Sequence, residues 1–217
     1  MKAALKRPQA HGRDPKSTRP VIKPATQHRG EVRLIGGLWK RSKLPVLDRP
    51  GLRPTPDRVR ETLFNWLGQD LTGWHCLDAF AGSGALGFEA ASRGAARVVL
   101  LDRDRRLTAS LSASAQRLGA IKVRVECADA LSWLARGRSP QFDLVFLDPP
   151  FDLPLIERAM TAALPWVKPQ GLIYVESPQA LTSVPPGWLI WRGARAGAVH
   201  FHLLQCQSYT APAPWRA

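Results

Sequence analysis

Large apolar side chains are distributed in three distinct ways along the chain. Residues 1–29 carry almost none, and Pro8, Pro15, Pro20 and Pro24 interrupt them. Such a segment cannot bury enough surface to order itself, so a disordered arm is expected there. In residues 30–52 two short alternating runs flank Gly36-Gly37, which predicts a β-hairpin or a bulged strand pair. "RPTPDRVRETLFNWL" follows with helical spacing. Thr55 is the expected cap, Pro56 suits the first turn, and Asp57 complements the positive helix end. Val59, Leu63, Phe64 and Leu67 form one apolar face, with Arg58, Arg60, Glu61 and Asn65 lying elsewhere.

From Trp74 the pattern becomes a regular alternation. "HCLDAF", "RVVLLD", "KVRVECAD", "DLVFLDPP" and "GLIYVES" read as strands. Helical segments at 85–92, 105–118, 130–135 and 155–164 separate them. That order predicts an α/β fold with a mainly parallel sheet covered on both faces. "GWLIWRG" and "GAVHFHLLQC" have no helix between them, so an antiparallel C-terminal pair is expected at the sheet edge. The chain thus divides into an arm (1–29), a hairpin plus helix (30–73) and an α/β domain (74–210).

Charge sharpens this division. The net charge of the 217 residues is +14. Residues 1–30 hold eight Lys/Arg against one acid, and residues 31–60 eight against three, so 12 of the 14 excess charges lie in the first 60 positions. A nearly neutral domain beside a strongly basic extension points to a polyanionic partner such as nucleic acid. The N-terminal segment is basic without an apolar stretch, and no apolar run is long enough to span a bilayer. A cytoplasmic protein without membrane contact is expected. Cys76, Cys127 and Cys206 stand alone, in or beside apolar runs, and are expected to be reduced core residues. The five histidines lack ligand spacing, so no metal is expected.

The candidate chemistry sits at strand ends. Asp78-Ala-Phe80-Ala-Gly82-Ser83-Gly84-Ala-Leu-Gly87 is a glycine-rich turn between a strand and a helix. Both dinucleotides and S-adenosylmethionine are bound by such turns. Asp78, immediately before the glycines, favours S-adenosylmethionine: a carboxylate accepts from its amino group but would repel a pyrophosphate. Asp102, 20 residues after Gly82, is placed to accept ribose hydroxyls. Asp129 can accept from the adenine amine, with the Ala130 N–H facing a ring nitrogen. Three acids at the carboxyl ends of successive strands mark the edge where open α/β sheets bind ligands.

Asp148-Pro149-Pro150-Phe151 ends the fourth of these strands. Methyl transfer to an exocyclic base amine needs acceptors that hold a weakly nucleophilic nitrogen in line. Asp148 and the Pro149 carbonyl can serve, the two prolines fixing that carbonyl because they have no N–H to bond elsewhere. Phe151 would stack on the extruded base. These four residues suit guanine, adenine or cytosine amines alike.

"RLIGGLWKRSKLPVLDRPGLRPTPDRVRETLFNWL", "LDAFAGSGALGFEAASRGA" and "FLDPPF" together resemble the RsmD family of bacterial small-subunit ribosomal RNA methyltransferases. The resemblance covers about residues 30–207 and leaves out the arm. It implies a Rossmann-like S-adenosylmethionine-dependent methyltransferase fold and transfer to N2 of a guanine in 16S ribosomal RNA, within an assembled or assembling 30S subunit. It implies cofactor roles for Asp78, Gly82, Gly84, Asp102 and Asp129 and base-side roles for Asp148 to Phe151. Asp102 stands where the family can have glutamate. Lys40, Arg41, Lys43, Arg53, Arg58 and Arg60 are then the expected phosphate contacts, with Asp57 and Glu61 as competing partners. A monomer is expected. The rival readings are an adenine-N6 or cytosine-N4 methyltransferase acting on DNA or other RNA, an inactive RNA-binding assembly protein, and, last, a nicotinamide-dependent oxidoreductase, which would leave the Asp-Pro-Pro-Phe segment unused.

Overall fold

The computed structural model describes residues 28–48, 55–137, 139–150 and 155–207. The arm therefore lies outside the described residues except for His28 and Arg29, and Arg53 and Phe151 lie outside them too. β1 (His28–Arg33) and β2 (Lys43–Leu47) pair antiparallel, with a register shift between His28 and Gly30. Helix α1 (Asp57–Leu67) follows. Then come β3 (His75–Asp78), α2 (Ala85–Ser92), β4 (Arg97–Asp102), α3 (Arg105–Leu118), β5 (Val123–Cys127), α4 (Ala130–Leu134), β6 (Phe142–Leu147), α5 (Ile156–Ala163) and β7 (Val167–Ser177). β8 (Trp188–Ala196) and β9 (Val199–Cys206) close the domain.

Seven strands form one sheet in the order β5-β4-β3-β6-β7-β9-β8. β3 to β7 are parallel, while β9 inserts antiparallel between β7 and the edge strand β8. Alternate residues of each central strand serve two cores. Cys76, Val98, Leu100, Leu144, Phe146 and Tyr174 pack towards α1, α2 and α3, whereas Leu77, Val99, Leu101, Val145, Leu147 and Val175 pack towards α4 and α5. Burial on both faces explains why these strands read as unbroken apolar runs. Of the three cysteines only Cys76 is fully buried; Cys127 is exposed and Cys206 intermediate, so the expectation of three core cysteines holds for Cys76 alone.

The hairpin and α1 are not a separate body. Val32, Leu34, Leu44 and Val46 of the hairpin and Val59, Leu63 and Phe64 of α1 share one continuous core with α2 and the sheet. A buried ionic network locks them there. Glu89 of α2 is fully buried and accepts from Arg93 Nε at 3.0 Å, Arg93 Nη2 at 2.8 Å, Arg60 Nη1 at 3.3 Å and the Ile35 backbone N–H at 2.9 Å. Arg60 also donates to the Arg33 carbonyl at 2.8 Å, to Asp57 at 2.6 Å and to the Thr55 carbonyl at 3.2 Å. Arg93 lies 4.6 Å over the Phe64 ring and donates to Gln69. The turn of the hairpin rests on the end of α2: Leu38 N–H donates to the Ser92 carbonyl at 2.7 Å, and Ser92 Oγ donates to the Gly36 carbonyl at 2.6 Å.

Two expectations are corrected here. Arg60 is not a surface phosphate contact; it is 0% exposed because its guanidinium is spent on Glu89, Asp57 and two carbonyls. Thr55 does not cap α1. Pro56 occupies the cap position, and the Thr55 hydroxyl reaches across to Asp148 instead. Removing Glu89 would strand two arginines inside the protein. Glu89→Ala should cost about 3–5 kcal/mol in urea denaturation, whereas Glu31→Ala, which breaks only an exposed pair with Lys43, should cost less than about 1 kcal/mol.

Candidate active site

Every parallel strand ends in or just before an acid on the same edge. In spatial order these are Asp129 after β5, Asp102 on β4, Asp78 on β3, Asp148 after β6 and Glu176 on β7. Chain order reverses between β3 and β6, and such a switch point opens a crevice above the carboxyl ends of the strands.

Asp78 is buried beside this switch point. Its Oδ2 accepts the Gly87 N–H at 3.0 Å, while its Oδ1 is buried with no hydrogen-bond partner of good geometry among the described residues, the Phe80 N–H contributing a weaker pull on the carboxylate. A buried carboxylate oxygen without a well-placed donor fits a ligand that brings one. Burial pushes the Asp78 carboxyl up to about 7, against the Gly87 hydrogen bond, with Asp102 adding repulsion. The turn above it is shaped by its glycines. Gly84 precedes α2 at φ 79°, in the left-handed region. At Gly87 a side chain would meet Leu100 at 2.1 Å, so α2 can press on β4 only without one.

Asp102 holds the turn from the next strand. Its Oδ2 accepts from Gly82 N–H at 3.0 Å and its Oδ1 from Asp104 N–H at 2.8 Å. Burial raises its pKa, with those two N–H groups opposing. Asp129 also serves the fold, because its Oδ1 caps α4 by accepting from Ser132 N–H at 2.8 Å, which lowers its pKa. Ala130 is buried at the first position of α4, Ser83 is buried in the turn, and Phe80 is half-buried beside the α4–α5 core.

Asp148 follows β6 and neighbours Asp78 across the switch point. Thr55 Oγ1 donates to its Oδ2 at 3.5 Å. Burial raises the Asp148 pKa well above the ordinary value, and the charges of Glu176 and Asp78 add to this. Pro149 is buried and Pro150 half-buried. Sequence reading missed Thr55, Tyr174 and Glu176. Glu176 carried a usable signal: it is a fifth acid at the carboxyl end of a strand, in "GLIYVES".

The expected phosphate contacts divide. Lys40, Arg41 and Arg58 are exposed, Lys43 is exposed but paired with Glu31 at 2.7 Å, and Arg60 is inside. Leu38, beside them at the hairpin turn, is 82% exposed.

A mostly parallel sheet with an antiparallel strand inserted next to its edge, a glycine turn over β3 and acids along one edge define a Rossmann-like S-adenosylmethionine-dependent methyltransferase fold. Residues 32–205 match the family described as Conserved hypothetical protein 95. Ribosomal RNA small subunit methyltransferase D of Escherichia coli (strain K12) is 46% identical over 187 residues, covering 84% of this chain and 94% of its own. The protein of the same name from Haemophilus influenzae is 44% identical over 183 residues, covering 82% and 95%. The solved structure of yhhF from Escherichia coli has a TM-score of 0.73 at 44% identity, covering 82% of this chain and 99% of that one. The chain belongs to the ribosomal RNA small subunit methyltransferase D family.

The Asp78 environment gives a testable pH signature. An acid with a folded pKa of about 7 and an ordinary value of 3.8 binds more protons in the folded state, so its contribution to stability falls as pH rises between those values. Asp78→Asn cannot ionise. Without ligand at pH 8 it should melt several degrees above the parent. The gap should narrow below pH 7 and vanish near pH 4, as followed by calorimetry.

Proposed function

We propose that this protein transfers a methyl group from S-adenosylmethionine to the exocyclic N2 amine of a guanine in 16S ribosomal RNA. The observation that carries the reading is the row of carboxyl groups, with Asp78 Oδ1 lacking a well-placed donor among the described residues and Asp148 next to it at the switch point. The residues fit the methyl donor: Asp78 for its amino group, Asp102 for the ribose hydroxyls, Asp129 and the Ala130 N–H for the adenine, and Phe80, Gly82, Ser83 and Gly84 as the surrounding turn. When bound, S-adenosylmethionine supplies a methyl group on positively charged sulfur; transfer forms the N–C bond while the C–S electron pair leaves with sulfur.

The chain's own residues address the amine. A guanine N2 lone pair is delocalised into the ring and is weakly nucleophilic. Asp148 and the Pro149 carbonyl accept its two N–H groups and hold the nitrogen in line. Pro149 and Pro150 have no N–H, so that carbonyl is not drawn into a ladder. Phe151 stacks on the base. Lys40, Arg41, Lys43, Arg53 and Arg58 hold the flanking phosphates, and the arm 1–29 adds charge to the same partner. The substrate is the small subunit, assembled or assembling. The enzyme works as a monomer in the cytoplasm, where that particle is made. Guanine rather than adenine or cytosine is favoured by the hairpin and α1, the part most specific to this family.

Small subunits from cells lacking base modification, incubated with methyl-labelled S-adenosylmethionine, should yield N2-methylguanosine on nucleoside analysis; labelled adenine or cytosine would overturn the assignment. Asp148→Ala should lower kcat by about 10²-fold or more while the donor's Kd stays within about threefold. Lys40→Ala with Arg41→Ala should weaken RNA binding and reduce the slope of log K against log salt by about one for each phosphate no longer neutralised, whereas Arg60→Ala should act through stability.

A further inference from the structure

The most exposed large apolar side chains lie away from the acids described above. Among the described residues four such side chains are exposed: Leu38 at 82%, Ile121 at 94%, Leu189 at 37% and Ile190 at 39%. The first two stand at one edge of the sheet. Leu38 is in the hairpin turn, where its N–H donates at 2.7 Å to the carbonyl of Ser92, the last residue of α2. Ile121 is in the turn after α3, and the carbonyl of the next residue, Lys122, accepts from the Val98 N–H of β4 at 2.9 Å. Arg117, in the last turn of α3, ties this end of the helix to the hairpin by donating to the Lys43 carbonyl at 2.6 Å.

α2 and α3 pack on the same face of the sheet. Each begins at the carboxyl end of one parallel strand and returns to the amino end of the next. The hairpin turn and the turn after α3 therefore lie at the edge opposite the acids, about 12 Å away along α2 and about 20 Å along α3. Cations stand with the two apolar side chains. Lys40, Arg41, Arg117 and Lys122 are exposed, and among the described residues none of them forms an ion pair. Asp70, in the loop before β3, is turned into that loop, accepting from the Thr72 N–H at 2.8 Å and the Thr72 hydroxyl at 2.6 Å. Both turns are pinned. The Arg41 N–H donates to the Leu34 carbonyl at 2.8 Å and the Ile121 N–H to the Gly119 carbonyl at 2.9 Å. Arg41 has φ 72°, in the left-handed region that favours Gly or Asn. A long cation thus occupies a position that backbone geometry alone would give to a small residue.

We propose that these two turns form an RNA-docking surface remote from the reacting base, which seats an A-form RNA helix: Lys40, Arg41, Arg117 and Lys122 meet its phosphates, and Leu38 and Ile121 lie against the sugars of its minor groove. This rests on the reading that the substrate is ribosomal RNA, and it places the phosphates met by Lys40 and Arg41 a helix length away from the target base. Charge selects the class of partner, because four exposed cations without acid partners match a polyanion. The apolar side chains narrow it. The minor groove of an RNA helix is wide, shallow and lined by sugars, so a side chain standing on a turn can rest in it, whereas the major groove is too deep and narrow to admit one. Turns already fixed by folding lose little further freedom on binding. A duplex held at one edge while a base reacts at the other is recognised by its shape and by the spacing between the two points.

The test compares the parent with the double variant Leu38→Ala, Ile121→Ala and with Lys122→Ala. Binding is measured across a salt series to protein-free 16S ribosomal RNA and to small subunits from cells lacking base modification, and steady-state kinetics are measured on the subunits. All three side chains are exposed, so melting temperatures should match the parent. The double variant should raise Kd for both RNAs and KM for the subunits about fivefold, with the salt slope unchanged. Lys122→Ala should lower the slope of log K against log salt by about one. In both, kcat and the donor's Kd should stay within about twofold, because a remote contact made equally before and during transfer acts on KM alone. Parental Kd in both variants overturns the proposal. So does a fall in kcat at parental KM, which would put these side chains at the reacting base. Weaker binding to the subunits with parental binding to protein-free RNA also overturns it, in favour of a ribosomal protein as the occupant. If the parent yields no N2-methylguanosine while both variants lose RNA binding, the proposed activity fails and the docking surface stands, so the two failures are distinguishable.

Discussion

The contact on which the rest of this structure depends is the Glu89 carboxylate between Arg60 and Arg93. An isolated carboxylate at this depth would be prohibitively costly, and either arginine without it would be equally so. Together, with Asp57, the Gln69 side chain and backbone groups filling the remaining sites, they form a network in which most donors and acceptors are matched. The consequence is positional. α2 begins at the glycine turn and ends under the hairpin, so the two halves of the proposed active site are set by opposite ends of one eight-residue helix. From Glu89 the connection runs through Arg60 to the Thr55 carbonyl and through the Thr55 hydroxyl to Asp148. The basic extension is therefore part of the proposed site's framework as well as an exposed basic surface.

The same edge gathers carboxyl groups that repel one another. Asp78, Asp148 and Glu176 are each raised by burial, and none has a cation from the protein to offset it among the described residues. A fold keeps such an arrangement only where the remaining packing over-determines it, and here two hydrophobic cores grip both faces of the sheet. Under the function proposed above, that electrostatic cost without ligand would become selectivity for a ligand that brings positive charge and N–H donors.

Much of this was legible in the sequence, for identifiable reasons. The parallel sheet was visible because its strands are buried on both faces and so lack polar interruptions, and the glycine turn because Gly84 and Gly87 answer strict geometric demands. Arg60 was misread because periodicity sorts residues by polarity, and an arginine inside the protein is distinguished only by partners up to 29 positions away. Thr55 satisfied every local rule for a helix cap, but Pro56 took that position and left the hydroxyl to a residue 93 positions away. Glu176 was hidden by its apolar run, although it obeys the rule that had already singled out Asp78, Asp102 and Asp129. Local chemistry showed which residues were unusual; the pairing across the sheet showed which of them lie together.

That distinction also revises what the net charge means. Counting residues 31–60 gives five excess positive charges, but Arg60 contributes none of its charge to the surface, and Lys43 shares its own with Glu31. The surface charge of this stretch comes from fewer residues, with Arg33, Lys40, Arg41 and Arg58 exposed besides the paired Lys43 among those described. Their backbone is not free to follow a ligand, because the hairpin turn is tied to Ser92 by three hydrogen bonds. A rigid turn presenting two cations beside an exposed leucine can select a shape of RNA, which a loose cluster of the same charge could not, because the entropy of fixing its geometry is already met by folding.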